Sequence, residues 1–348
     1  MHIHVQASLY RPLMEALLRE VDSLARATGF SGAVRIDREG RVELASPYGF
    51  AHRAHEIPNT PETQFGIASG AKGFTALTIV SLIEQGSIAV STAARSVLGR
   101  DLPLIRDEVT IEHLLSHRSG IGDYLDEEVH ADPNEYVLGV PVHELGTTEE
   151  YLAILDGRPT KFPPGERFAY CNSGYVVLAL IAERTAGLPF HELVRERVCD
   201  PAGMTDTAFL RSDELPGGAA LGYLTAERTS RTNVFHLPVR GSGDGGIYST
   251  VADISAFWRA LFAGRIVSLQ WVAELMRPRS VLPREPRRYG LGFWLAEAGD
   301  IVMLEGADAG VSFRTVHDPR REITHTVVSN TSDGAWPLAR LLAERLST

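Results

Sequence analysis

Ser69 and Lys72 stand three positions apart in the stretch QFGIASGAKGFTA, from Gln64 to Ala76. Residues i and i+3 of a helix share a face, so this hydroxyl and this amine can meet if a helix begins there. Thr75, Leu77, Ile79, Leu82 and Ile83 continue an apolar pattern that suits a buried helix. A serine in a first helical turn also lies beside unpaired N–H groups, which favour developing negative charge. The pair has the makings of a serine nucleophile with a lysine partner. The same spacing fits a capping serine followed by a surface lysine. Composition tilts the balance: Lys and Arg total 34, yet Lys72 and Lys161 are the only lysines. Arginine does not surrender its proton in a protein, whereas a desolvated lysine can. An unperturbed lysine is neutral about once in 2,500 molecules at pH 7, and bringing its pKa near 7 costs roughly 4.6 kcal/mol. Burial alone reaches that magnitude.

Other constellations are weaker. Tyr170 and Asn172 lie two apart in FAYCNSG, and on an extended segment they point the same way. His113 and His117 are four apart, but no third ligand follows and no Glu sits beside His113, so both read as structural. Gly241-Ser242-Gly243-Asp244-Gly245-Gly246 formally matches a dinucleotide fingerprint. No apolar strand precedes it, so it reads as a flexible loop. His2 and His4 could bind a metal with the terminal amine, although a frayed terminus is the simpler reading.

These residues need elements to position them. Apolar spacing predicts a helix over about 9–27, with Met14, Leu17, Leu18, Val21 and Leu24 on one face. GAVRID and RVELAS flank a turn at Arg38-Glu39-Gly40, a hairpin signal. The chain then reads as mainly helical to about residue 200, with an acidic, Gly- and Pro-rich excursion at 121–165. A helix from Tyr175 to Thr185 closes at Gly187, and another runs from Val251 to Phe262. YGLGFWLAE, IVMLE, VSFRTVH and EITHTVVSN predict three or four antiparallel strands before a last helix, about Trp336 to Leu346. The fold class expected is α+β. One antiparallel sheet flanked by helices takes both chain ends, and a mainly helical lobe is inserted. The expected division is a sheet lobe of about 1–66 and 247–348 and a helical lobe of about 67–246, together one catalytic domain over 1–348.

The chain has 348 residues and a net charge of −10, which argues against nucleic acid or an anionic membrane as partner. Cys171 and Cys199 offer no disulfide framework or metal spacing. No signal-peptide pattern or membrane span is legible, so a cytoplasmic location is expected. Trp258 and Trp271 are candidates for either core or a homo-oligomer interface.

Taken together, TQFGIASGAKGFTA, IEHLLSHRSGIGDY, FPPGERFAYCNSGYVVLALIAERTAG, DPAGMTDTAF, GGIYSTVADISAFWRAL and YGLGFW resemble the serine β-lactamase and penicillin-binding-protein-like family. The likeness is to its branch of esterases, D-amino-acid peptidases and transacylases, and runs from Gly32 to the final helix. It implies a β-lactamase/transpeptidase-like fold. It also implies that Ser69 is the acylated nucleophile and Lys72 its partner base. Tyr170 would relay a proton to the leaving group, and Asn172 would help hold substrate and Lys72. Tyr170 as tyrosinate is an alternative base. The family's third motif, Lys-Thr-Gly or His-x-Gly, falls at Leu304-Glu305-Gly306, with the backbone N–H groups of Ser69 and Ala307 as the oxyanion hole. Leu304 stands where the family carries the group that grips a substrate carboxylate, which counts against β-lactamase or D,D-peptidase activity. The resemblance therefore implies a serine hydrolase acting through an acyl-enzyme on a small ester or amide, with no metal or organic cofactor. The alternative is a transacylase passing the acyl group to an amine or alcohol. A non-turning penicillin sensor is disfavoured by the missing signal and membrane segments.

Overall fold

The hairpin expected at Arg38 closes on two residues: Arg38 pairs with Arg41, and Glu39 and Gly40 take φ of 49° and 74°. Both values belong to the turn whose twist matches that of the flanking strands, β1 (Gly32–Arg38) and β2 (Arg41–Tyr48). The computed structural model describes residues 2–129, 132, 134–225, 231–282 and 286–346, with side chains from Met14 onward. The side chains of His2 and His4 thus lie outside the described residues. The first helix spans His2–Thr28, so the N-terminus is helical rather than frayed.

Short strands follow the hairpin: β3 (Phe50–His52) with β4 (Ile57–Pro58), and β5 (Phe65–Gly66) with β6 (Tyr248–Ser249). The main sheet is completed from the far end of the chain by β7 (Ser280–Val281), β8 (Arg287–Tyr289), β9 (Trp294–Ala296), β10 (Val302–Asp308), β11 (Val311–Asp318) and β12 (Ile323–Ser329). Its order is β2-β1-β12-β11-β10-β9-β8-β7. The two chain ends meet where Gly32 pairs with Ser329 and Arg38 with Ile323, all antiparallel. The tail holds six strands rather than three or four. One reason is that YGLGFWLAE folds back on itself through Gly292, at φ 88°, and becomes both β8 and β9.

Every residue of β12 is buried, because the sheet is covered on both faces. On one face Leu17 and Val21 of the first helix and Leu338 and Leu342 of helix Ala335–Leu346 pack on Val34, Ile36 and Val327. On the other lie helices Val251–Phe262 and Ala71–Glu84. Ala71 to Leu82 are buried without a break, as expected of a helix that is apolar all round. Trp258 is fully buried and donates to Thr315 Oγ1 at 2.9 Å, which assigns it to the core. Trp271 is partly buried against the same core. Among the described residues of 121–165 the helical elements are short turns, at Val142–Glu144, Glu149–Tyr151 and Leu152–Leu155.

Candidate active site

Ser69 sits in a 3₁₀ turn, Ala68–Gly70, that runs directly into helix Ala71–Glu84. Ala68 has φ of 44°, a left-handed conformation that a side-chain-bearing residue holds only against a cost of order 1–3 kcal/mol. That bend presents Ser69 at the head of the helix. Strand β10 closes against the turn because Gly306 has no side chain: a Cβ there would lie 2.2 Å from Ile67 O and 2.8 Å from Ser69 N. β9 pairs with β10 only at Val302 and Met303. The edge from Leu304 to Asp308 therefore faces the serine turn instead of another strand.

Lys72 is 2% exposed, and its Nζ has three neighbours. They are Ser69 Oγ at 2.9 Å, Asn172 Oδ1 at 2.8 Å and the Asp244 carbonyl at 2.7 Å. Two of these can only accept, so they take two N–H bonds. The third direction, toward Ser69, is filled by a proton in the ammonium and by a lone pair in the amine. In the amine form that lone pair is aimed at the serine hydroxyl. Burial lowers the Lys72 pKa, and the charges of Asp244, Glu127, Asp123 and Asp308 oppose the shift without reversing it.

Tyr170 and Asn172 do not share one extended segment. Cys171 is extended, at φ −146° and ψ 111°, but Asn172 already opens helix Asn172–Ala186, which closes at Gly187. Both residues still reach the site. The Ser69 side chain is near enough to the Tyr170 hydroxyl to oppose the rise of its pKa, and the Tyr170 ring centroid lies 4.8 Å from Lys72 Nζ. Burial, followed by the Glu127 charge, pushes its pKa well above the ordinary tyrosine value. Asn172 is oriented by donating to Leu125 O at 2.9 Å, which leaves Oδ1 for the lysine. His117 is buried under the tyrosine ring at 4.4 Å and accepts from Cys171 N at 3.1 Å. Burial drives its pKa well below the ordinary value, so it is a neutral packing partner. His113 caps its own helix through Thr110 N at 3.2 Å.

Several site residues were not singled out from the sequence. Asp123 accepts from Asn172 N at 2.8 Å and Ser173 N at 2.9 Å. It thereby caps a helix whose N-cap, Cys171, offers no side-chain bond. Tyr124 donates to the Asp244 carboxylate, and Glu127 meets Asn172 Nδ2 at 3.3 Å. The loop 241–246 is pinned rather than flexible. Thr75 Oγ1 donates to Gly243 O at 2.6 Å, and a Cβ at Gly243 would stand 2.1 Å from Tyr175 O. Only the acidity of IGDYLDE and the Asp between glycines hinted at these roles.

Leu304 is 1% exposed and lies against Gly73, whose Cβ would come within 2.7 Å of it. It packs into the core and presents no polar group to the site. Asp308, two residues past Gly306 and on the same strand face, has its pKa pushed up to about 7 by burial and by the Asp244 and Glu127 charges. Among the described residues no group of three or more His, Cys, Asp or Glu is disposed to hold a metal ion. Nor is any described helix long and apolar enough to cross a membrane.

A family model described as Beta-lactamase matches residues 9–347. A penicillin-binding protein of Bacillus subtilis (strain 168) is 27% identical over 309 residues, covering 84% of this chain and 66% of its own. A D-aminopeptidase of Brucella ovis is 27% identical over 298 residues, covering 83% of this chain and 53% of its own. The chain thus spans between about half and two-thirds of the length of these curated relatives. Among solved structures, a penicillin-binding protein from Bacillus halodurans superposes with a TM-score of 0.87 at 34% identity, over 93% of this chain and 99% of that one.

Proposed function

The chain belongs to the beta-lactamase family of serine hydrolases, and from that premise we propose that it works through an acyl-enzyme on a small ester or amide. One observation carries the reading: a buried lysine whose two other bonds go to pure acceptors aims its remaining direction at Ser69 Oγ, 2.9 Å away. In the proposed cycle Lys72, as the amine, takes the Ser69 proton while Oγ attacks the carbonyl carbon. The oxyanion is met by the backbone N–H groups of Ser69 and Ala307 at the open edge of β10. The proton passes through Tyr170 to the leaving group as the tetrahedral adduct collapses to acyl-serine. Water, activated by the same pair, then releases the acid and restores the serine proton.

The choice between lysine and tyrosinate as base turns on two opposite shifts. Burial lowers Lys72 toward the neutral amine and raises Tyr170 away from its anion. Both favour Lys72 as base and Tyr170 as a neutral relay. Leu304, turned into the core, supplies no charge for a substrate carboxylate, which argues against β-lactams and D,D-peptides as substrates.

Intact mass after brief mixing with p-nitrophenyl butyrate, with nitrophenol release followed alongside, tests the assignment. The wild type is expected to gain one butyryl group and turn over, and Ser69→Ala to do neither while keeping its circular-dichroism spectrum. An adduct on Ser69→Ala, or wild-type turnover by that variant, would overturn it. An adduct that persists in water and is discharged by an added amine would point instead to the transacylase.

A further inference from the structure

Tyr170 has a task that conflicts with the usual way of fixing a hydroxyl. In the proposed cycle it hands a proton to the leaving oxygen and regains one from Lys72, so its O–H cannot be tied to a permanent partner. Its place must come from the ring and the backbone, and both lead to His117, which is buried. The His117 carbonyl accepts from Ala169 N at 2.9 Å, and its Nδ1 accepts from Cys171 N at 3.1 Å. The residues on either side of Tyr170 are thus both held by His117. The imidazole also lies against the phenol, with ring centroids 4.4 Å apart and planes tilted by 37°.

His117 occupies this place against local preference. Its φ is 55°, in the left-handed region that a residue with a Cβ seldom takes. Because Nδ1 accepts, the neutral ring carries its proton on Nε2. That nitrogen is buried and has no hydrogen-bond partner among the described residues. Around the ring stand Tyr175 at 4.9 Å, Tyr289 at 4.8 Å and Phe168 at 5.7 Å. Packing alone would be served better by phenylalanine, which brings no polar nitrogen among aromatic rings. Hydrogen bonding alone would be served by asparagine, whose Oδ1 accepts as Nδ1 does and which takes positive φ readily. Histidine joins a flat ring to an acceptor beside Cγ, and here both are in use while the Nε2 proton goes unpaired.

We propose that His117 is the positioning residue of the proton relay: through two backbone bonds and one ring face it holds Tyr170 where the phenol hydroxyl serves both Ser69 and the leaving oxygen. His117 itself passes no proton. The assignment rests on the acyl-enzyme reading above, with Tyr170 as its relay. When the bond from the carbonyl carbon to the leaving oxygen breaks, that oxygen takes the Tyr170 proton, and Tyr170 regains one from the Lys72 ammonium. A weakly basic leaving group departs without that proton, whereas a more basic one needs it. A displaced Tyr170 is therefore felt in proportion to leaving-group basicity, a signature that loss of packing alone does not imitate.

The test measures kcat/KM for p-nitrophenyl, phenyl and p-methoxyphenyl butyrate from the absorbance of the phenol released. All three esters give the same butyryl-enzyme, so their ratios compare acylation alone. His117→Asn keeps the acceptor and loses the ring. Its kcat/KM on the p-methoxyphenyl ester is expected to fall at least tenfold further than on the p-nitrophenyl ester. His117→Phe, which keeps the ring and loses the acceptor, should show the same selective loss, and so should Tyr170→Phe. In the Tyr170→Phe background His117→Asn should add less than twofold to it, because the two residues act as a unit. Circular dichroism and thermal melts establish that each variant is folded. A folded His117 variant that loses activity equally on all three esters, or loses none, overturns the inference and leaves the hydrolase standing. So does a selective loss that His117→Asn still adds in the Tyr170→Phe background. Wild-type ester ratios in Tyr170→Phe overturn the relay and the inference together. Wild-type enzyme that neither gains a butyryl group nor releases nitrophenol overturns the acyl-enzyme reading on which both rest.

Discussion

Replacing Gly306 with alanine asks whether the serine turn depends on its fit to β10. The new Cβ would stand 2.2 Å from Ile67 O, 2.8 Å from Ser69 N and 3.0 Å from Ala68 Cβ. Comfortable contact begins near ~3.5 Å, so the turn and the strand must part by about 1.3 Å. All three atoms belong to backbone or to a methyl group, so no flexible side chain can absorb the movement. A misplacement of about 1 Å at a reacting centre is worth about a hundredfold, or roughly 2.7 kcal/mol of transition-state stabilisation. The lost interaction is with an oxyanion that exists only after attack, so the effect should fall on kcat more than on KM. Overpacking costs the fold about 1–3 kcal/mol, which a typical stability of about 5–15 kcal/mol survives. Steady-state hydrolysis of p-nitrophenyl butyrate, with thermal melts on the same samples, would read both effects. Gly139→Ala is the control, since Gly139 is exposed and nothing lies within 4 Å of its Cβ. A folded Gly306→Ala enzyme within threefold of wild-type kcat would refute the idea that β10 positions the serine turn.

The acylation rate should rise with pH as Lys72 loses its proton, with a midpoint below the ordinary lysine value, because burial destabilises the ammonium. Asn172→Asp would place a carboxylate 2.8 Å from Nζ and move that midpoint upward, lowering the rate at neutral pH. A midpoint that stayed put would mean that another group is the base. Asp308, protonated in the fold up to about pH 7, holds a proton that the unfolded chain releases near ~4. Stability therefore falls as pH rises through that window, by at most about 4 kcal/mol. Urea denaturation should find Asp308→Asn more stable than wild type at pH 8 and equal to it at pH 4; an equal gain at both would contradict the burial. Cys171 and Cys199 are buried free thiols, with Cys199 pushed up to about 12 by burial. An aromatic disulfide reagent should label neither in the native protein within minutes and both after unfolding, whereas fast native labelling would mean that the packing around them is open.

The sheet was readable because its strands alternate or run apolar between turns with their own signatures. Glu39-Gly40 closes a two-residue hairpin where the sequence signals one, whereas the equally tight turn at Ala309-Gly310 carried no reading beforehand. The Ser69–Lys72 pair was readable because a helical interval brings i and i+3 together whatever surrounds them. What the sequence hid is everything that depends on distant segments meeting. Asp123 caps a helix 49 residues away, and Asp244 offers its carbonyl to a lysine 172 residues away. Neither relation leaves a local spacing. Tyr170 and Asn172 lie near one another at the Ser69 turn, but a helix start, not strand alternation, brings them there. The glycine run 241–246 misled in a similar way. Gly243 allows close approach to the Tyr175 carbonyl, and it is composition alone that makes the loop look mobile.

The lysine's surroundings combine two demands that oppose one another. A buried amine near four carboxylates would ordinarily be held as an ammonium, because opposite charge favours the ionised form. Here the atoms that touch Nζ are uncharged: a hydroxyl, a side-chain amide oxygen and a backbone carbonyl. The carboxylates stand behind them, each tied by neutral donors. Asp123 is held by two helix N–H groups, Asp244 by the Tyr124 hydroxyl and Glu127 by the Asn172 amide. Asn172 matters most in this arrangement, because its oxygen faces the lysine and its nitrogen faces Glu127. It passes on the attraction of the acid in weakened form, which steadies the lysine without fixing its proton. A direct ion pair would give more stability to the fold and less basicity to the amine. The observed packing leaves desolvation as the stronger influence on Lys72, which is the condition a lysine base at neutral pH requires.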